Sequence, residues 1–158
     1  MTGVADDPEA AEVLEECMEL WRALPHAVRS RVHLGCTPMA DPDEAAAIVN
    51  ALQRHAAVVV QKSVAEGFGL TVAEAMWKAR PIVASAVGGI VDQVVSGEHG
   101  LLVADPLDLA SFGSAVETLL RDRPEATRLA ANTRARAGAE FLGDRHLEQY
   151  GELLARLG

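Results

Sequence analysis

One stretch constrains this chain more than any other: Glu66-Gly67-Phe68-Gly69-Leu70-Thr71-Val72-Ala73-Glu74. The run before it, Ala57-Val58-Val59-Val60, is apolar, rich in β-branched residues and short, as a buried parallel strand is. Thr71 to Ala79 follow as a helix. Thr71 is placed to be its N-cap, and Glu74 stands three residues on, the spacing of a capping box. Strand, glycine-bearing turn and helix N-terminus together make one unit of an α/β sheet.

Such a unit suits an anionic ligand. The first turn of a helix has N–H groups without internal partners, and the macrodipole adds partial positive charge there. Gly67 and Gly69 let backbone approach a ligand closely. Glu66 and Glu74 flank the turn, and carboxylates accept hydrogen bonds from hydroxyls. A ligand with a phosphate centre and hydroxyls at both ends fits, and a nucleoside diphosphate sugar has that shape. Structural readings stand beside these. A glycine turn into a helix is common in α/β proteins, and Glu74 has an alternative role closing the capping box. Glu66 has no evident local job. The stretch is not a dinucleotide fingerprint, because Val72 stands where the third glycine belongs, and no Gly-x4-Gly-Lys-Ser/Thr pattern occurs.

Composition narrows the partners. A length of 158 residues suits one domain with a substantial core. The net charge of −9 argues against nucleic acid or an anionic membrane surface, so a diphosphate must be held by local N–H groups and a few placed cations. Cys17 and Cys36 form no metal or redox spacing, and neither a signal sequence nor a long apolar segment is present, so a cytoplasmic setting is expected.

In chain order, Asp6-Asp7-Pro8 opens a helix with Leu14, Cys17, Met18 and Trp21 on one buried face. Arg31 to Leu34 reads as a short strand, with His33 half-buried in it. Cys36 to Met39 forms the loop beyond its C-terminal end, where ligands of open α/β sheets bind. A second helix starts at Asp41-Pro42, with Ala45, Ile48, Val49 and Leu52 inward. Ala57 to Gln61 is a strand, and Lys62 beyond it is solvated. Pro81 to Ala84 is the next strand, and Gly88-Gly89 leads to a short helix over Val91 to Val95. Gly97 to Gly100 is a tight turn with His99 exposed. Leu101 to Val103 is the last strand. Helices then start at Asp105-Pro106 (Leu109, Phe112, Val116 and Leu119 inward), at Pro124, and at Asp144 (Leu147, Tyr150, Leu154 and Leu157 on one face). The expected fold is α/β, a Rossmann-like parallel sheet with helices on both faces.

The Glu-x7-Glu spacing of Glu66 and Glu74 resembles the signature of retaining glycosyltransferases of the GT-B fold, family 4. Lys78 to Ser85, Val87-Gly88-Gly89-Ile90 and Ser96 to Val103 resemble that family's following strands and turns, in the right order. Glu66 to Lys78 with Gly88 to Gln93 is most similar to its trehalose synthases and trehalose phosphorylases. The resemblance implies the C-terminal, donor-binding half of a GT-B fold without its first two strands, of which Met1 to Asp7 resembles the tail of the second. It implies that the acceptor-binding N-terminal domain and the family's basic diphosphate residues lie outside the chain, so that the isolated chain is inactive. It implies transfer of glucose from a nucleoside diphosphate glucose to glucose, without a metal or other cofactor. Glu66 takes the catalytic position at the donor sugar, and Gly67, Phe68, Gly69, Leu70 and Thr71 take the sugar and phosphates. Glu74 takes the ribose, and the backbone at Gly88-Gly89 lines the sugar pocket. A trehalose phosphorylase, another family 4 transferase and a non-catalytic nucleotide-binding fragment remain open alternatives. With two strands missing, the apolar edge Val58-Val59-Val60 needs a neighbour, either Arg31 to Leu34 or a second molecule, and a homodimer or domain-swapped assembly with contacts near Val32 to Leu34 or Val58 to Val60 is expected.

Overall fold

The computed structural model describes residues 8–35 and 41–157. The chain divides into two compact units, Met1–Ala51 and Leu52–Gly158.

Three short parallel strands carry the second unit: β1 (Val59–Gln61), β2 (Ile82–Ser85) and β3 (Leu101–Val103), in the order β1-β2-β3. Val59 is opposite Ile82, and Val83 is opposite Leu101. All four residues of β2 are fully buried, as expected of a central parallel strand covered on both faces. Successive strand side chains point to opposite faces, and β2 shows it. Ile82 and Ala84 pack with Val72, Ala75 and Met76 of α4 (Leu70–Trp77) and with Ile90 of α5 (Ile90–Gln93). Val83 packs on the other side with Phe112 and Leu119 of α6 (Leu109–Arg121). Helix α7 (Arg123–Glu140) joins both layers, with Leu129 in one and Ala137 in the other. Helices therefore cover both faces, as expected.

Local chemistry explains the helix starts. Asp108 caps α6 by accepting from the Ser111 N–H at 3.0 Å and from the Ser111 hydroxyl at 2.6 Å. Asp122 caps α7 by accepting from the Glu125 N–H at 3.0 Å, with Pro124 in the first turn.

The structure corrects several expectations in this unit. His99 is buried rather than exposed, at 7% relative accessibility. Its Nδ1 accepts from the Val95 N–H at 3.4 Å, and its carbonyl accepts from the buried Thr133 hydroxyl, so the turn folds back under α7. Leu109 is exposed at the α6 N-terminus. The apolar stripe of α8 (Gly143–Leu157) is also exposed, with Leu147 at 73% and Leu154 at 67%. Periodicity reports an amphipathic face, and burial needs a partner for it. Lys62 is exposed, as expected.

The first unit holds α1 (Pro8–Ala23), α2 (His26–Arg29) and most of α3 (Pro42–His55). Arg31 to Leu34 is not a strand. The Arg31 and Val32 amides instead donate to Val28 and Arg29 carbonyls at 3.0 and 3.1 Å, continuing the turn out of α2, and His33 is exposed. A strand needs a ladder, and among the described residues β1 pairs with β2 alone. In α1, Leu14 and Cys17 are exposed and Trp21 is half-buried, its indole N–H donating to the Val32 carbonyl at 2.9 Å. Asp41 caps α3, its carboxylate accepting from the Asp43 and Glu44 amides. Of the α3 residues expected to face inward, Val49 and Leu52 are exposed, and the buried residue is Gln53. The expected loop Cys36 to Met39 and the start Met1 to Asp7 lie outside the described residues.

Candidate functional site

The stretch from Gln61 to Glu74 leaves the end of β1, turns at the glycines and enters α4. The helix begins at Leu70, and its N-cap is Gly69, held at φ 88° and ψ 54°. This corrects the expectation for Thr71. The turn needs a left-handed residue immediately before the helix, which glycine adopts with little strain. The cap therefore falls two residues earlier than the Ser/Thr rule places it, and no side chain caps the helix. The Val72 and Ala73 amides donate to the Gly69 carbonyl at 3.0 and 3.1 Å. The amides of Leu70 and Thr71 precede these and have no acceptor within the helix. Both residues are exposed. The N-terminal turn of α4 thus faces outward.

Glu74 is therefore not part of a capping box. It is the fifth residue of α4, and its carboxylate lies 3.7 Å from the Lys78 ammonium one turn on, with its side chain 49% exposed. Lys78 is nearly buried and also donates to the side-chain carbonyl of Gln53.

Glu66 is half-buried and tethered. Its carboxylate accepts from the Ser63 hydroxyl at 3.2 Å, and Ser63 accepts from the Gln61 side-chain amide at 2.8 Å. This relay from the end of β1 fixes the glutamate that the sequence left without a local job. Sequence reasoning missed Gln61 and Ser63, because short polar residues after a strand are ordinary loop composition.

The Gly88-Gly89 turn presses directly on the motif. The Gly89 amide donates to the Gly67 carbonyl at 2.9 Å. A β-carbon at Gly88, which sits at φ 49°, would lie 1.7 Å from the Glu66 carbonyl oxygen. One further contact comes from α5, where the buried Gln93 side-chain amide donates to the Phe68 carbonyl. Phe68 is half-exposed and meets Phe141 edge-to-face, with ring centroids 6.4 Å apart. The structure thus brings Glu66, Gly67, Phe68 and Gly69 together with the Gly88–Gln93 segment, while Leu70, Thr71 and Glu74 follow on α4. Among the described residues, no group of three or more His, Cys, Asp or Glu side chains could hold a metal ion, and no helix is long and apolar enough to cross a membrane.

The site is thus an α/β sheet with an outward helix N-terminus, entered through a glycine turn flanked by two carboxylates. The family model for glycosyl transferases group 1 matches residues 42–136, and the chain belongs to that family. Its fold, a three-strand parallel sheet flanked by helices, has GT-B glycosyltransferases as structural neighbours.

Three similar proteins sharpen the picture. The chain is 43% identical over 113 residues to a trehalose synthase of Pyrococcus horikoshii, covering 70% of this chain and 26% of that protein. It superposes on sucrose-phosphate synthase from Thermosynechococcus elongatus with TM-score 0.64 and 36% identity, over 77% of this chain and 29% of the other. It superposes on the Anabaena protein HepE in complex with UDP-glucose with TM-score 0.59 and 27% identity, over 68% of this chain and 30% of the other. The chain spans about a quarter of the length of the trehalose synthases it matches.

Proposed function

We propose that this chain is the donor-binding part of a retaining glycosyltransferase that transfers glucose from a nucleoside diphosphate glucose to glucose, giving trehalose. The observation that carries the donor reading is the start of α4. Its Leu70 and Thr71 amides lie in an exposed first turn behind a left-handed Gly69, between Glu66 and Glu74. The similarity to trehalose synthases supports the product, and the likeness to HepE bound to UDP-glucose supports the donor class.

In this reading the amides from Gly67 to Thr71 receive the diphosphate, and Phe68 borders the sugar. Their fixed dipoles stabilise negative charge developing on the leaving diphosphate, which is the work a metal ion does elsewhere. Glu66, held by Ser63, accepts hydrogen bonds from donor-sugar hydroxyls at the reacting end. Glu74 accepts from the ribose hydroxyls. Neither carboxylate is required as a nucleophile, since one serves the sugar and the other the ribose. A glycosidase pair, by contrast, flanks a single bond. The acceptor side belongs to the N-terminal part of the enzyme.

Titration calorimetry of the chain with UDP, ADP and GDP tests the donor reading, with inorganic phosphate as the control. Saturable binding of one diphosphate, competed by its glucose ester, is expected. Binding of phosphate as tight as that of every nucleotide would reject it.

A further inference from the structure

We propose that Gln93 is a positioning residue for the phosphate-binding turn: its side-chain amide holds the Phe68 carbonyl and thereby aims the Gly69 amide into the site.

Helix α5 and the Val94 that follows it present Ile90, Gln93 and Val94 to the interior, and these residues are 0%, 1% and 1% accessible. Two of the three are aliphatic, as a core face requires. The third is an amide, and a buried amide is costly unless it is hydrogen-bonded. Its Nε2 donates to the Phe68 carbonyl, while its Oε1 is buried with no partner. A position that only needed filling would take an aliphatic residue and avoid that orphaned oxygen. The donor end is the half that is used, and what it holds is main chain of the glycine motif.

Peptide geometry gives the consequence. No cis peptide is present among the described residues, so the carbonyl of one residue and the N–H of the next point in opposite directions. Gln93 draws the Phe68 carbonyl toward α5, and this turns the Gly69 N–H away from α5. One peptide earlier, the Gly89 amide holds the Gly67 carbonyl and turns the Phe68 N–H in the same sense. Two consecutive carbonyls are thus tied down, and two consecutive amides are offered beside those of Leu70 and Thr71. The strut is itself braced, because the Arg136 guanidinium donates to the Asp92 carbonyl at 2.9 Å, fixing the end of α5 to α7. The side of Gly69 where a β-carbon would stand is enclosed by Ile90 Cγ1 at 3.1 Å and Gln93 Nε2 at 3.7 Å. Gln93 therefore sits directly against the left-handed residue that starts α4.

The strut itself is independent of the ligand, whereas its purpose rests on the nucleotide reading above, so the test has two arms. In the first, amide hydrogen exchange is followed by NMR without ligand. Gln93→Met keeps volume and removes the donor. Exchange at Val72 and Ala73, whose amides rest on the Gly69 carbonyl, is expected to speed about tenfold, while Val83 and Ala84 in β2 stay unchanged. In the unmutated chain, the Gln93 side-chain amide protons should themselves exchange slowly, a result that needs no variant to fold. Ordinary fast exchange of those protons, or unchanged exchange at Val72 and Ala73 in a folded Gln93→Met, overturns the strut. In the second arm, affinities for UDP and for UMP are compared. Gln93→Met is expected to lower UDP affinity about tenfold and UMP affinity less, because the aimed amide meets the diphosphate. Equal losses for the two nucleotides overturn the aiming role. An unmutated chain that binds neither UDP nor any other nucleoside diphosphate rejects the nucleotide reading and with it the aiming role, and the exchange arm still decides the strut.

Discussion

Replacing Gly88 by alanine should be the most damaging single methyl group that can be added near the motif. The new β-carbon would stand 1.7 Å from the Glu66 carbonyl oxygen, and real contacts of that kind essentially never fall below 3.0 Å, so the two chains must part by at least the difference of 1.3 Å. The obstacle is backbone, so no side-chain rotation relieves it. Two costs combine. The positive φ of 49° disfavours alanine, by about 1–2 kcal/mol for a residue forced into the left-handed region. Overpacking adds about 1–3 kcal/mol. Two other glycines separate these terms. Gly97 has φ 81° and nothing within 4 Å of where a β-carbon would stand, so Gly97→Ala carries only the strain. Gly89 has φ −65° but would place its β-carbon 2.5 Å from the Gly67 carbonyl oxygen, so Gly89→Ala carries only the clash. Denaturant melts of the three variants should therefore give losses of about 1–2, 1–3 and 2–5 kcal/mol for positions 97, 89 and 88. Nucleotide affinity should fall by about tenfold or more in Gly88→Ala, since a lost hydrogen bond to a charged group costs about 1.5–3 kcal/mol, and should be unchanged in Gly97→Ala. Equal destabilisation by Gly88→Ala and Gly97→Ala would refute the reasoning, because it would mean that the Gly88 turn does not press on Glu66.

Glu74→Ala should weaken nucleoside diphosphate binding by on the order of tenfold or more, since hydrogen bonds to a charged acceptor are worth about 1.5–3 kcal/mol, and Glu74→Gln should weaken it less. Its contact sets a half-exposed carboxylate against the nearly buried Lys78 ammonium, so a calorimetric titration with unchanged affinity and a lowered melting temperature would reduce Glu74 to a structural residue. Burial, and secondarily the Arg136 guanidinium, hold the His99 pKa below its ordinary value, against Glu98 and Glu140. The unfolded chain then binds the proton more readily, so this contribution is complete above about pH 6.5 and is lost as the pH falls below it. Melting temperature should drop from about pH 7.5 to about pH 5.5 more steeply in the unmutated chain than in His99→Gln, and parallel profiles would contradict this. Thr133→Val should cost about 1–3 kcal/mol in urea unfolding, because it removes the donor to the buried His99 and Leu129 carbonyls while keeping the side-chain volume.

Much of this protein is legible in one dimension because it is local. The β-branched run before Gln61, the glycines after Glu66, and the prolines and aspartates at helix starts act through neighbours a few residues away. They placed β1 to β3 and α7 and the motif that lies within the residues matching the family, whereas α6 starts at Leu109 behind Asp108 and not at Asp105-Pro106. Other features required the folded chain. The cap of α4 moved from Thr71 to Gly69, a left-handed residue packed against Ile90 and Gln93, which lie about twenty residues further on. That contact is invisible to any spacing rule. The partners of Glu66 and Glu74, Ser63 and Lys78, are only three and four residues away, whereas Gln53, the other partner of Lys78, is brought there from α3 by the fold. Arg31 to Leu34 has strand composition but no neighbouring ladder, and the stripe of α8 has helical periodicity but no buried residue. Composition sets what a segment prefers. Pairing and burial are properties of two surfaces, and only the tertiary structure supplies the second.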